Sequence, residues 1–156
     1  LMKSRTTRIN RKTKETEVLS EYARNALART ICAQYKDAAS VIHVVTLDPA
    51  TEDYIQVNIQ RLDHGSTLTV PPDRQAELAL KLRRQIESAA SASGGAPIVV
   101  LCTPQIRLWV RRVIEPVLPQ TPVLALNEIP RGIDVQAHGV VNLELQRSHI
   151  PSPVHA

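Results

Sequence analysis

Hydrophobic positions along this chain switch between two periods, and the switches mark its elements. Leu19, Tyr22, Ala23, Ala26, Leu27 and Ile31 recur at three- and four-residue spacing, which predicts one apolar stripe on a helix over 16–35. Thr16 is its expected N-cap, and Arg24 and Arg29 fall off the stripe, on the wet side. Val41 to Leu47 is apolar and β-branched with little alternation, as in a strand covered on both faces. Asp48-Pro49 then opens a helix expected to run to Leu62, with His64-Gly65 ending it. A short strand at Thr67 to Val70 and a break at Pro71-Pro72-Asp73 precede a long helix to Ala92, whose expected buried face is Ala76, Ala79, Leu82, Ile86 and Ala89.

The stretch from 96 to 141 is the unit onto which the rest is expected to pack. It begins with a buried strand at Ile98 to Cys102 and continues with a helix opened by Thr103-Pro104. An apolar strand at Val123 to Leu126 leads through a turn, Asn127 to Gly132, into an alternating strand at Ile133 to Val141. Helices alternating with strands predict an α/β fold: a small mixed sheet covered by helices, preceded by an amphipathic helix and a basic N-terminal arm. The expected division is a basic flexible arm at 1–14, a helical segment at 15–40, an α/β unit at 41–142 and a frayed, flexible tail at 143–156.

Composition narrows the picture. The 156 residues contain no Phe and only 3% aromatics, so the core is aliphatic and aromatic base-stacking platforms are lacking. The net charge of +4 is local: residues 1–14 hold six basic side chains and no acid, leaving 13 basic against 15 acidic residues, a net of −2, elsewhere. A basic arm of this kind suits nucleic acid, anionic lipid or an acidic partner, or simply a solvated linker. No apolar run approaches the ~20 residues of a membrane span, and the basic N-terminus lacks the apolar core of a signal peptide.

Catalytic chemistry is sparse. There is no GxGxxG, P-loop or GxSxG, and Gly94-Gly95 precedes a strand instead of following one. Asp48, Glu52 and Asp53 cluster where a helix starts, which reads as capping and dipole complementarity rather than a metal site. His43 reads as a strand-end or satisfied core histidine rather than a ligand, because no second ligand stands at useful spacing in sequence; His138, His149 and His155 do not form a zinc set. Cys32 and Cys102 are expected as buried free thiols, and Cys102, at a strand end before a helix, defines an alternative reading as a small thiol enzyme. Trp109 with Arg111 and Arg112 reads as core and wet face, or as part of a protein-binding surface.

Four segments, in order, resemble a known family. VVTLDPATED (44–53) looks like the VITLDPxLE segment of the type III secretion export-gate family, and VVLCTPQIR (99–107) is similar to its VVLxSPxIR. VLALNEI (123–129), followed by Val135 and His138 to Val141, resembles its VLSYNEI…V…GVV ending, and LSEYARNALARTICAQ (19–34) resembles its LxEYVRxxLxRxI helix. Ala125-Leu126 stand where the family carries Ser-Tyr, and the 1–14 arm follows its usual lead-in poorly. The resemblance implies a non-enzymatic, cofactor-free segment from the C-terminal end of the cytoplasmic region of an inner-membrane protein, its helix at 15–40 coming from a preceding helical subdomain. It further implies a homo-oligomeric ring that meets other export-apparatus proteins, export substrates and chaperones, with membrane spans N-terminal to this region and no nucleic acid. The flagellar members fit better than the injectisome ones. Arg24, Arg29, Arg111, Arg112, Asn127 and Glu128 are the expected protein-interaction residues; a basic-arm nucleic-acid module is the alternative from another class.

Overall fold

A parallel sheet of this size is stable only when helices cover it on both sides. The computed structural model describes residues 2–144, with side chains from Val18 onward. Its elements are α1 (Met2–Tyr35), β1 (Val41–Leu47), α2 (Pro49–Val57), β2 (Ile59–Leu62), β3 (Gly65–Leu68), α3 (Pro72–Ala92), β4 (Ile98–Cys102), α4 (Arg107–Ile114), β5 (Val123–Ala125), a 3-10 turn (Leu126–Glu128) and β6 (Asp134–Val141). Four strands form one sheet in the order β5-β4-β1-β6, and every pairing in it is parallel. The expected mixed sheet is therefore resolved into a wholly parallel one, with the antiparallel pair β2–β3 forming a separate ribbon.

Strand alternation sorts the core into two layers. Ile42, Val44, Val99, Leu101 and Leu124 point to one face, where Ala28 and Cys32 of α1 cover them and Ile31, Tyr35, Ile129 and Ile133 pack at the margin. Val45, Leu47, Ile98, Val100, Cys102 and Val123 point to the other, against Leu78, Leu82 and Ala89 of α3 and Val110 and Ile114 of α4. Of the expected α3 face, Ala79, Leu82 and Ala89 are buried and Ile86 packs against the core, whereas Ala76 is exposed and Leu78 is buried in addition.

Three local expectations are corrected. The helix at the N-terminus does not start at Thr16 but extends back to Met2 through the segment expected to be an irregular arm. The helix from Pro49 stops at Val57, not Leu62. Asn58 ends it: its side-chain Nδ2 donates to Tyr54 O at 2.7 Å, and its carbonyl accepts from the Thr69 N–H at 2.7 Å. Ile59 to Leu62 then turns back through a two-residue loop, Leu62 pairing with Gly65. Ile55, Ile59 and Leu62 fit a helical period, but Ile59 to Leu62 is short enough to fit a strand as well. Finally, Leu143 belongs to the core and not to a frayed tail: it is 1% exposed, and its N–H donates to the buried Thr51 hydroxyl at 3.1 Å. Lys81 Nζ and Arg74 hold the Asn142 and Leu143 carbonyls. Residues 145–156, the rest of the expected tail, lie outside the described residues.

Two substitutions check this account by chemical denaturation. Leu143→Ala is expected to lower stability by about 2–4 kcal/mol, as for a buried large-to-small change; a frayed residue would leave the midpoint unmoved. Asp48 accepts the Thr51 N–H at 3.1 Å as the N-cap of α2, so Asp48→Ala is expected to cost about 1 kcal/mol.

Candidate functional site

At the carboxyl ends of β4 and β5 three charged side chains converge. Glu128 is placed by the 3-10 turn that follows β5, and its carboxylate folds back to accept the Ala125 N–H at 2.8 Å. Arg24 reaches it from α1: a guanidinium NH2 donates to Glu128 Oε1 at 3.1 Å and to the Val123 carbonyl at 3.0 Å. Arg24 Nε lies 2.8 Å from Glu128 Oε2, but it is misaligned for a hydrogen bond, so that contact is Coulombic. Arg107, in the first turn of α4, stands 3.8 Å from the same carboxylate. Glu128 is only 6% exposed and the Arg24 side chain 24%, so this is a partly desolvated pair that Arg107 shares. Burial, followed by repulsion from Arg24, lowers the Arg107 guanidinium below its ordinary pKa.

This geometry divides the six expected interaction residues. Arg24 and Glu128 meet each other and fasten α1 to the sheet, so Arg24 is not on the wet side. Ala28 and Cys32, one and two turns further along α1, continue the inward face. Arg29 and Asn127 are exposed. Arg111 donates to the carbonyls of Leu118 at 3.3 Å and Pro119 at 2.7 Å, tying down the turn after α4. Arg112 lies over the Trp109 ring, 5.0 Å from its centroid. Sequence reasoning missed Arg107, whose partner lies on another element.

Most of the apolar stripe expected to seat α1 is turned away from the sheet, although Ile31 at its end packs beside it. Leu19 is 67% and Tyr22 69% exposed, and Val18 and Leu27 are also exposed large apolar residues. The small residues Ala28 and Cys32 made the inward face hard to see: they allow close approach but carry little weight in a hydrophobic pattern.

The remaining candidate chemistry is quiet. Glu52 accepts the Thr103 N–H at 2.8 Å, so the acid cluster at α2 caps two elements: Asp48 its own helix, Glu52 the segment after β4. Cys102 is buried, and burial, followed by the Glu52 carboxylate, pushes its thiol up to about 12. Burial raises Cys32 as well. An open hollow of about 300 Å³ between α3 and β6 is lined by Lys81, Arg84, Gln85, Val140, Val141 and Asn142. No helix among the described residues is long and apolar enough to cross a membrane.

Known proteins match this architecture. The FHIPEP family profile matches residues 3–134. The flagellar biosynthesis protein FlhA of Bacillus subtilis (strain 168) is 32% identical over 131 residues, covering 84% of this chain and 19% of that protein. The low calcium response locus protein D of Yersinia pestis is 27% identical over 132 residues, covering 85% of this chain and 18% of that protein. The chain thus spans about a fifth of the length of these relatives. Among solved structures, the nonameric EPEC SctV-C superposes with a TM-score of 0.66 at 27% identity, covering 80% of this chain and 36% of that one. The Chlamydia pneumoniae CdsV in its complex with CdsO gives a TM-score of 0.67 at 31% identity, covering 81% and 37%. With a family match across most of its length and the same α/β fold in solved relatives, this chain belongs to the FHIPEP family, the export-gate family of type III secretion with flagellar and injectisome members.

Proposed function

We propose that this chain is the C-terminal portion of the cytoplasmic region of a flagellar-type export gate, on the cytoplasmic face of the inner membrane. Its role is docking and ring assembly, not catalysis. The family match over residues 3–134 carries this reading, and the identity to a flagellar FlhA favours the flagellar side. In it, residues 15–40 belong with a preceding helical subdomain and 41–142 form the terminal α/β subdomain. The outward stripe of α1, Val18, Leu19, Tyr22 and Leu27, is the surface that this division leaves for the neighbouring subdomain or subunit. Ring assembly is supported by the nonameric form of SctV-C, and contact with other export-apparatus proteins by the CdsV complex with CdsO. Export substrates and their chaperones are the further partners. Arg29, Arg111, Arg112 and Asn127 are the charged and polar positions left to such contacts.

An injectisome role is the second reading, favoured by the Yersinia relative and the SctV-C likeness. The two separate in cells. An in-frame deletion of the segment 41–141 from the parent gene, with membrane levels of the product checked, is expected to abolish motility and filament export. Normal motility with lost effector secretion would move the assignment to the injectisome; normal behaviour in both would remove the domain from export altogether.

Three further outcomes follow at the residue level. Glu128→Ala strands two partly buried guanidinium groups and is expected to cost about 3 kcal/mol. Tyr22→Asp, on the outward stripe, is expected to leave the fold of this chain intact by circular dichroism while weakening ring formation of the full-length protein by sedimentation. A thiol-enzyme role for Cys102 predicts fast alkylation of the native protein near pH 8. The raised thiol pKa predicts the reverse, with Cys102 modified only after unfolding.

A further inference from the structure

His43 and His138 stand 95 positions apart, yet His43 Nδ1 lies 2.6 Å from His138 Nε2. Their ring centroids are 4.8 Å apart and the ring planes inclined by 32°. Two structural devices bring them together. Parallel pairing sets β6 beside β1, and a bulge in β6 lets Val44 face Ala137 while Val45 faces Gly139, so His138 is the extra residue. A bulge re-aims the side chain it carries. On the other side of the His43 ring, Nε2 contacts Asp37 Oδ2 at 2.9 Å. Asp37 is itself fixed, accepting the N–H groups of Ala39 at 2.8 Å and Val41 at 3.0 Å through Oδ1. The hydrogen bond from His43, followed by that from Val41, holds its carboxyl below the usual range.

Protonation follows from these contacts. An ionised carboxylate accepts only, so His43 donates Nε2–H to Asp37. In the neutral ring this leaves the Nδ1 lone pair aimed at His138. A carboxylate behind an imidazole is the arrangement that orients a metal-ligating histidine, and here the other nitrogen of that ring meets a second imidazole. His43 is 7% exposed, whereas His138 is half-buried, so the point between them is reached from the β6 side.

We propose that His43 Nδ1 and His138 Nε2 are the two protein ligands of a site for a divalent transition metal of the zinc, nickel or copper class, with Asp37 orienting His43. Imidazole suits these ions. The metal takes the place of the proton shared between the rings, and His138 carries its own proton on Nδ1 instead. Tetrahedral zinc at about 2.0–2.1 Å from each nitrogen needs the nitrogens about 3.3 Å apart. The nitrogens therefore move apart by less than about 1 Å while the rings turn so that both lone pairs converge on the ion, and β6 is the edge strand among the described residues. Among the described residues no third His, Cys, Asp or Glu completes a cluster, so water fills the other positions and the site stays open.

The test is titration of the whole chain with zinc chloride and, separately, nickel chloride. Calorimetry reads affinity, and imidazole ¹H–¹⁵N spectra read the ligands. One ion per chain is expected, with both His43 and His138 signals shifting. Asp37→Asn is expected to weaken binding about tenfold, as for loss of a carboxylate behind a ligating histidine, and His138→Gln by more than that. Replacing His149 and His155 together should leave affinity unchanged. The proposal is overturned if zinc leaves the His43 and His138 signals of the wild-type chain in place, which needs no variant to fold. It is also overturned if folded His138→Gln binds as tightly as the wild type.

Discussion

Double-sided burial of β1 is the constraint on which the other parts of this domain depend. The strand sits between β4 and β6, with Ile42 and Val44 facing one layer and Val45 and Leu47 the other. One side is covered by α3 and α4, which the chain lays down as it winds outward from β1 through β4 to β5. No such crossover helix covers the other side. Among the described residues, α1 and the return segment around Ile129 and Ile133 cover it, and the buried α1 residues there, Ala28 and Cys32, are small. The Arg24–Glu128 pair supplies directional attachment where apolar area is short. Glu128 anchors the turn after β5 as well, so one carboxylate fixes the end of a strand and the covering helix together.

The legible parts of the sequence were those where period and punctuation agree. Asp48-Pro49 marked the start of α2, Pro71-Pro72 that of α3, and the uninterrupted run at Ile98 to Cys102 the buried β4. Legibility failed where two periods coincide, as at Ile59 to Leu62, and where a residue's environment is supplied from far along the chain. Leu143 looked like tail because nothing local shows that Thr51 waits for its N–H. Arg24 looked solvated because its partner is 104 positions away. His43 seemed to have no companion because local spacing does not register strand pairing. The α1 stripe was a different kind of miss. Its periodicity marks a real helical face, but a helix can carry two usable faces, and most of this one, Leu19, Tyr22 and Leu27, is turned away from the sheet.

That inversion bears on the proposed role. A helix that seats Arg24, Ala28 and Cys32 on its own domain and turns Val18, Leu19, Tyr22 and Leu27 outward behaves as a joint between two bodies. In the proposed export gate, it is the element through which the terminal α/β unit is held against the rest of a ring. The stability of the α/β unit and the strength of its attachment then rest on different residues of one helix and can vary independently.

The strand order also bears on the time course of folding. The central strand acquires its two neighbours at very different moments of synthesis: β4 follows β1 after one crossover, but β6 is made only after β4 and β5. Until then one flank of β1 exposes an unpaired row of peptide groups, and closing it requires contacts of long sequence separation, which form slowly. The half-finished chain therefore exposes an edge that can pair with the wrong strand, and a premature stop anywhere before Asp134 would make that exposure permanent.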